Sequence, residues 1–376
     1  MPWRKVTVMS LRQEFVRFAL AHGTNMMELC LRFGISRKTG YKWISRFQTE
    51  GDVGLVDRPR RPRRSPWKTG PILEKAILEM RDSHTAWGGR KIRRCLQNRG
   101  RFDAPAASTI TAILKRHNRI DPTESQKHVP WRRFVAEAPN DLWQMDFKGH
   151  FPASEGRCHP LTVLDDNSRY SVGLQACKDE RTLTVKDHLM RFFRHYGLPR
   201  ILLVDNGSPW GSGAEHRFTP LIVWVIRQGV KVVHSRPCHP QTLGKDERFH
   251  RSLKAEVIQH CQGLCLDECQ EQFDSWRQTY NLHRPHEALQ MQVPADYYRP
   301  SNRPYCENPS PVEYGPDDTV RKVQQGGWIS YRGQEYHIPK AFCREFIALR
   351  PTETDGHLDV YYRNQRITQI ELSNNK

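Results

Sequence analysis

The chain has 376 residues, enough for two to four compact domains, and an ordinary balance of 37% hydrophobic and 27% charged residues. Its longest apolar runs, such as Leu221-Ile-Val-Trp-Val-Ile226, fall far short of the ~20 residues of a membrane span, and Arg4, Arg12 and Glu14 interrupt any leader-like stretch. These features exclude a membrane partner and lead us to expect a cytoplasmic protein. The formal charge is +18, and residues 1–138 hold nearly all of it, with 29 Lys+Arg against 12 Asp+Glu, compared with 30 against 29 in residues 139–376. A basic half joined to a balanced half suggests a polyanion grip attached to a body with another task.

Residues 1–56 read as a first domain of three short helices. Leu11, Phe15, Val16, Phe18 and Ala19 give the first helix an apolar face, and the second runs from about Asn25 to Phe33 with Thr24 as a candidate N-cap. Gly34 allows a sharp turn, Ile35 is a buried plug and Ser36 can cap the third helix. There Trp43 and Phe47 face inward and leave Arg37, Lys38, Tyr41, Lys42 and Arg46 outward, the layout of a helix-turn-helix with a basic recognition helix for the major groove of duplex DNA. Residues 57–68 form a linker in which three prolines favour extension, while Arg60, Arg61, Arg63 and Arg64 are either phosphate contacts, within a minor groove, or parts of a solvated tether.

Residues 69–120 repeat the element order. Ile72, Ala76, Ile77 and Met80 stripe one helix, Trp87–Ile92 opens another, and Ser108 caps a third through Arg116, giving a second helix-turn-helix domain before a linker over 121–138. From 139 to 300 the pattern becomes mixed α/β. Strands are expected at 141–148, 160–165, 170–175, 201–204 and 230–234, with helices near 181–196, 215–228, 241–260 and 268–281. Residues 301–376 carry six short alternating strands, for which a small antiparallel β-barrel is the best expectation, as a contact module for DNA or for protein. The ten cysteines contain no Cys-x-x-Cys pair. Cys261, Cys265 and Cys269 share a helical face with His260 nearby and read as core-facing thiols rather than as a metal site.

Three carboxylates carry the chemistry. Asp146 stands in the apolar strand Leu142-Trp-Gln-Met-Asp-Phe147, where an unpaired charge would cost several kcal/mol unless it meets a partner or a metal. Asp205 ends Ile201-Leu-Leu-Val and precedes Asn206-Gly207, at a strand's carboxyl edge where α/β sites form. Glu247 lies about one turn into a helix, with Arg251 and Lys254 at +4 and +7 on its own face. Asp246 is the rival third ligand, ~100° around that helix. Asp165 and Asp166 rival Asp146, although Asp166-Asn-Ser reads better as a turn. His239, Gln241 and Lys245 flank the third carboxylate, either as DNA contacts or as a polar loop.

Five segments in order carry a resemblance: Trp143-Gln-Met-Asp-Phe147, Leu164-Asp-Asp-Asn-Ser-Arg-Tyr170, Val204-Asp-Asn-Gly207, His239 through His250, and Tyr280 through Leu289 followed by Pro294. The chain resembles bacterial insertion-sequence transposases whose catalytic core is of the retroviral-integrase type. That resemblance implies an α+β multidomain protein with a ribonuclease-H-like central domain and a catalytic, metal-binding triad of Asp146, Asp205 and Glu247. It implies Mg²⁺ or Mn²⁺, as two ions, with element terminal repeats and target DNA as partners. Element ends would be cut by water and their 3′-hydroxyls joined to target DNA. A homo-oligomeric complex, nucleoid-associated when on DNA, is also implied. The spacing between Asp205 and Glu247 exceeds the family's shortest. The Gly-containing stretch 208–218 accounts for it.

Overall fold

The computed structural model describes residues 7–58, 68–120, 135–211, 217–235 and 244–372. The chain divides into two compact units, Met1–Lys68 and Thr69–Lys376. The Arg/Pro linker residues 59–67, with Arg60, Arg61, Arg63 and Arg64, and most of linker 121–138 lie outside the described residues.

The first unit holds α1 (Val8–Ala19), α2 (Met26–Arg32) and α3 (Arg37–Glu50), closed by a 3₁₀ turn over Gly51–Leu55. Thr7 and Ser10 form a capping box on α1, and Ser36 Oγ accepts from Thr39 N at 3.2 Å on α3. The cap of α2 is Asn25, whose Oδ1 accepts from Met27 N at 3.0 Å, rather than the expected Thr24. The Thr24 hydroxyl instead donates to the carbonyls of Phe18 and Ala21, closing the preceding turn. Gly34 takes φ +62°, as the sharp turn requires. Phe15, Val16, Leu29, Cys30, Trp43 and Leu55 make the core. A Cβ at Gly40 would meet Cys30 Sγ and Phe15 Cζ at 2.9 Å, so this glycine lets α2 and α3 approach.

The second unit begins with α4 (Pro71–Ser83), α5 (Gly89–Asn98) and α6 (Ala107–Arg116). The buried stripe of α4 is Leu73, Ile77 and Met80, whereas Ile72, expected inside, is exposed: it lies ~100° around the helix from Leu73, off that stripe. Ser108 sits inside α6 rather than at its cap, a position held by Ala106. Gly89 plays the part of Gly40, because a Cβ there would stand 2.4 Å from Ala107 O.

The central sheet comprises β1 (Leu142–Phe147), β2 (Phe151–Ala153), β3 (Gly156–Asp165), β4 (Ser171–Cys177), β5 (Ile201–Val204) and β6 (Lys231–His234). β3 pairs antiparallel with β4 and β1, β2 extends it as a hairpin, and β1, β5 and β6 run parallel. This mixed order is that of a ribonuclease-H-like core. One face carries α7 (Thr182–Tyr196) and α8 (Pro220–Arg227) over Trp143, Met145, Val163 and Val204. The other carries α9 (Gly244–Leu253), a π turn over Lys254–Ile258, α10 (Gln259–Cys261) and α11 (Leu266–Leu282), packed on Leu164, Leu174, Phe249 and Phe273. Cys261 and Cys269 belong to that second core, as the thiol reading expects, whereas half-buried Cys265 caps α11, its Sγ accepting from Glu268 N. A short α12 (Pro294–Tyr297) closes the region.

The expected C-terminal barrel is not closed. β7 (Thr319–Lys322), β10 (Phe346–Pro351), β11 (His357–Tyr362) and β12 (Gln365–Glu371) form an open four-stranded sheet, and β8 (Trp328–Tyr331) pairs with β9 (Gln334–His337) in a separate hairpin. Closure is not needed to bury their apolar faces, because Val323, Ile338, Phe342 and Val360 join the α7/α8 core instead. Gln365 accepts from Val232 N and donates to Val232 O, both at 2.9 Å, so its amide satisfies the free edge of β6. Among the described residues, no helix is long and apolar enough to cross a membrane.

Candidate active site

Alternation along β1 sends Trp143 and Met145 to the α7/α8 face and Gln144 and Asp146 to the α9 face. Gln144 pairs in parallel register with Leu203, so two residues further on Asp146 lies beside Asp205, just past the end of β5. Adjacent strands are ~4.8 Å apart, which brings the two carboxylates together. Burial, and then the charge of Asp205, push the Asp146 carboxyl up to about 7. Burial likewise raises Asp205, opposed by a hydrogen bond from Gly207 N at 3.1 Å. The Asp-Asn-Gly sequence has a local cause. Asn206 Nδ2 donates to Ser235 O at 2.8 Å and ties the end of β5 to that of β6, and Gly207 folds its backbone under the Asp205 carboxylate.

The helix opposite presents a buried face of Asp246, Phe249, His250 and Leu253 to the sheet. The spacing is i, i+3, i+4, i+7, so residue 247 is carried ~100° away. Asp246 is 1% exposed, neither carboxylate oxygen has a hydrogen-bond partner among the described residues, and burial, followed by Asp146 and Asp166, drives its carboxyl well above the usual range. The Glu247 side chain is 67% exposed and lies 3.8 Å from Arg251, its i+4 neighbour. The structure thus sets Asp146 beside Asp205 and within the field of Asp246, and leaves Glu247 exposed on the outer side of α9. Among the described residues, no three His, Cys, Asp or Glu side chains already form a metal-ligating group. The adjacent half-buried carboxylates of Asp146 and Asp205 are nonetheless the hard oxygen donors that a divalent ion takes, and their mutual repulsion is what such an ion relieves.

Two further residues border Asp146 and escaped the sequence reading. Thr162, its cross-strand partner on β3, donates through Oγ1 to Asp146 O at 2.9 Å and so accepts from His250 Nε2 at 2.8 Å. Burial, and then Lys148, lower His250 to about 3, leaving it neutral. The signal was its i+4 spacing from Asp246, on the inward side of the helix.

Both rivals of Asp146 are engaged elsewhere. Asp165 accepts from Asn140 N, Ser168 N and Ser168 Oγ and closes the β3–β4 turn. Asp166 accepts from Ala136 N and Gln144 Nε2, each at 2.7 Å, and forms a buried ion pair with Lys245. That pair takes up the Lys245 ammonium, which the sequence offered to DNA; a buried carboxylate left without it would be strongly destabilising. His239 and Gln241 lie outside the described residues. Lys254 is exposed at the π turn. In that turn Glu256 receives both Arg284 Nη1 contacts, at 2.7 and 2.8 Å, and Trp276 Nε1 at 2.6 Å, so Arg284 fixes this helix as a structural group. On α3, Arg37, Lys38, Tyr41 and Lys42 are exposed, while Arg46 is half-buried over the Trp43 ring at 5.2 Å.

Comparison with known proteins agrees with this organisation. A helix-turn-helix domain profile matches residues 11–63, a homeodomain-like profile 39–114, integrase core domain profiles 136–240 and 228–294, and the IS481 family transposase C-terminal domain 318–376. The chain is 24% identical over 238 residues to a 39.2 kDa protein of insertion element IS476 from Xanthomonas euvesicatoria, covering 62% of this chain and 66% of that protein. It is 28% identical over 160 residues to a 31.7 kDa protein of insertion element IS407 from Burkholderia multivorans, covering 43% and 56%. The matches thus span less than two thirds of either relative. The integrase catalytic core domain of HTLV-2, solved with magnesium, aligns over 45% of this chain and all of that one, at 16% identity and a TM-score of 0.34.

Proposed function

We propose, from the premise that the chain is a bacterial insertion-sequence transposase with an integrase-type core, that it binds the ends of a mobile DNA element, cuts them and joins their 3′-hydroxyls to target DNA. The observation that carries this reading is the register that sets Asp146 beside Asp205 at the carboxyl edge of a mixed sheet, beneath a helix bearing two more carboxylates.

In this reading Asp146 and Asp205 hold the divalent ions, Mg²⁺ or Mn²⁺, and Glu247 reaches in from the rim of α9 as the third ligand. When bound, a pair of such ions supplies stabilisation of both the entering and the leaving oxygen of an in-line displacement. The chain's own part is to hold these carboxylates, exclude competing groups and position the phosphodiester. Thr162 and neutral His250 fix the backbone at Asp146 from the apolar side. Arg251 on α9 and Lys254 on the π turn that follows are exposed, where a DNA backbone would run.

The helix-turn-helix units at 1–56 and 69–120, joined by the 57–68 linker, would recognise the element ends. Linker 121–138 would lead to the catalytic domain at 139–300, with 301–376 as a packed β module. The partners are duplex DNA, as terminal repeats and target, and further copies of the chain, in the cytoplasm and on the nucleoid.

The test is strand transfer with the element's own flanking DNA and Mg²⁺ or Mn²⁺. Joined products that vanish on chelation are expected. Cleavage without any joined product would reduce the protein to a nuclease, and no metal-dependent product at all would overturn the reading.

A further inference from the structure

The second helix-turn-helix domain does not merely precede the catalytic core but packs against it. Thr85 Oγ1 donates to Ala255 O at 3.0 Å in the π turn, Cys95 Sγ to His283 O at 3.7 Å, and Arg90 lies 3.4 Å from Glu287. The core-facing side of α5 therefore carries Arg90, Lys91, Arg94 and Cys95, spaced i, i+1, i+4, i+5.

Cations outnumber anions along this seam. Glu256 is taken up by Arg284, and Glu287 by Arg90. Lys91 stands within the field of Arg284 and Arg248, and no described carboxylate forms an ion pair with Lys91 or Arg248. Burial, and then those two arginines, lower the Lys91 ammonium to about 7 against the opposing pull of Glu256 and Glu287, so an added anion would favour its charged form. Two buried nitrogens also lack any hydrogen-bond partner among the described residues, Arg94 Nε and His286 Nε2, and His286 lies in the field of Arg284, Lys91 and Arg248. Such groups are costly unless a ligand completes them. Arg248 is exposed at the mouth, so an anion has access.

We propose that this seam is a DNA-phosphate site, in which Lys91, Arg94, Arg248 and the His286 ring receive a backbone phosphate of duplex DNA running from α5 onto the outer face of α9. It rests on the DNA-processing reading above and adds a site there, one that fixes the spacing between the recognised sequence and the carboxylates. A phosphate contact of this kind carries no base specificity.

The experiment measures affinity of the full chain for an element-end duplex across a salt series in EDTA, so that loss of catalysis does not affect it. Lys91→Gln should lower the slope of log affinity against log salt by about 1, roughly eightfold weaker binding at 0.1 M salt relative to 1 M, equally on unrelated duplexes. Lys91→Arg should keep the slope, and Lys75→Gln, on the exposed face of α4, should leave it unchanged. An unchanged slope for Lys91→Gln with a raised melting temperature would overturn the proposal, since the substitution would then only relieve repulsion. So would inorganic phosphate raising the wild-type melting temperature as much as the duplex does, since the seam would then take a small anion rather than DNA. If the wild-type chain shows no salt-dependent DNA binding, the functional reading itself falls.

Discussion

Glu247→Gln and Asp246→Asn put the third ligand to the test, because the helix turns one carboxylate out and the other in. Glu247 is 67% exposed and its contact with Arg251 is 3.8 Å in solvent, so removing its charge should change stability by no more than ~0.5 kcal/mol. The variant should therefore fold and bind DNA normally. If Glu247 holds an ion, cleavage and joining should both fall by about 10³-fold or more, roughly 4 kcal/mol of barrier. Asp246 is buried with two oxygens left orphan among the described residues, and burial raises its carboxyl well above its ordinary value, so Asn keeps the shape with no charge to bury. Its effect on joining should be much milder. Asp246→Val, which removes both orphans, should stabilise the protein by ~1–3 kcal/mol. The assays are single-turnover cleavage and strand transfer on an element-end duplex, with thermal unfolding alongside. Near-normal joining by Glu247→Gln together with a dead Asp246→Asn would refute the assignment and make the inward carboxylate the ligand. Full activity of both would place the third ligand elsewhere.

Metal binding should depend on pH through Asp146. Its folded carboxyl, near 7, keeps a proton that the unfolded chain releases near 4, so folding is progressively opposed as pH rises through that window and metal must displace the proton. Apparent Mg²⁺ affinity, read from thermal shift, should rise up to about tenfold per pH unit below pH 7 and flatten above it; a flat profile from pH ~5.5 to ~8 would count against Asp146 as a ligand. Arg284→Ala should destabilise the protein by ~3–5 kcal/mol, because Glu256 is left buried and uncompensated; calorimetry showing under ~1 kcal/mol would mean that the pair is not a support. On α3, replacing Arg37 or Lys42 by Ala should cost ~1–3 kcal/mol of binding and relax one base position, whereas equal weakening on every duplex would make both phosphate contacts.

Much of the architecture was legible in the chain because it rests on local chemistry. Helix periodicity located the elements of the first unit, where a glycine turn and the Ser36 cap fixed the start of α3. Alternation and Asp-Asn-Gly located the strands whose register brings Asp146 to Asp205. Local signals were weaker where two residues compete for one role. Thr24 and Asn25 are both good caps, as Ile72 and Leu73 are both good core residues, and only the packing partner decided between each pair.

The sequence on its own determined a basic half, a mixed α/β body and a short list of carboxylates, since charge, periodicity and turn chemistry are properties of neighbours in sequence. Tertiary structure alone decided which members of that list meet. Asp166 and Lys245 neutralise each other across 79 residues, and the same helix that buries Asp246 holds Glu247 at the rim. It also decided that the C-terminal strands stay open, since the α7/α8 core covers the apolar face that a barrel would have closed upon. Burial and the distance between charges far apart in sequence are set by the fold as a whole, and no local pattern encodes them.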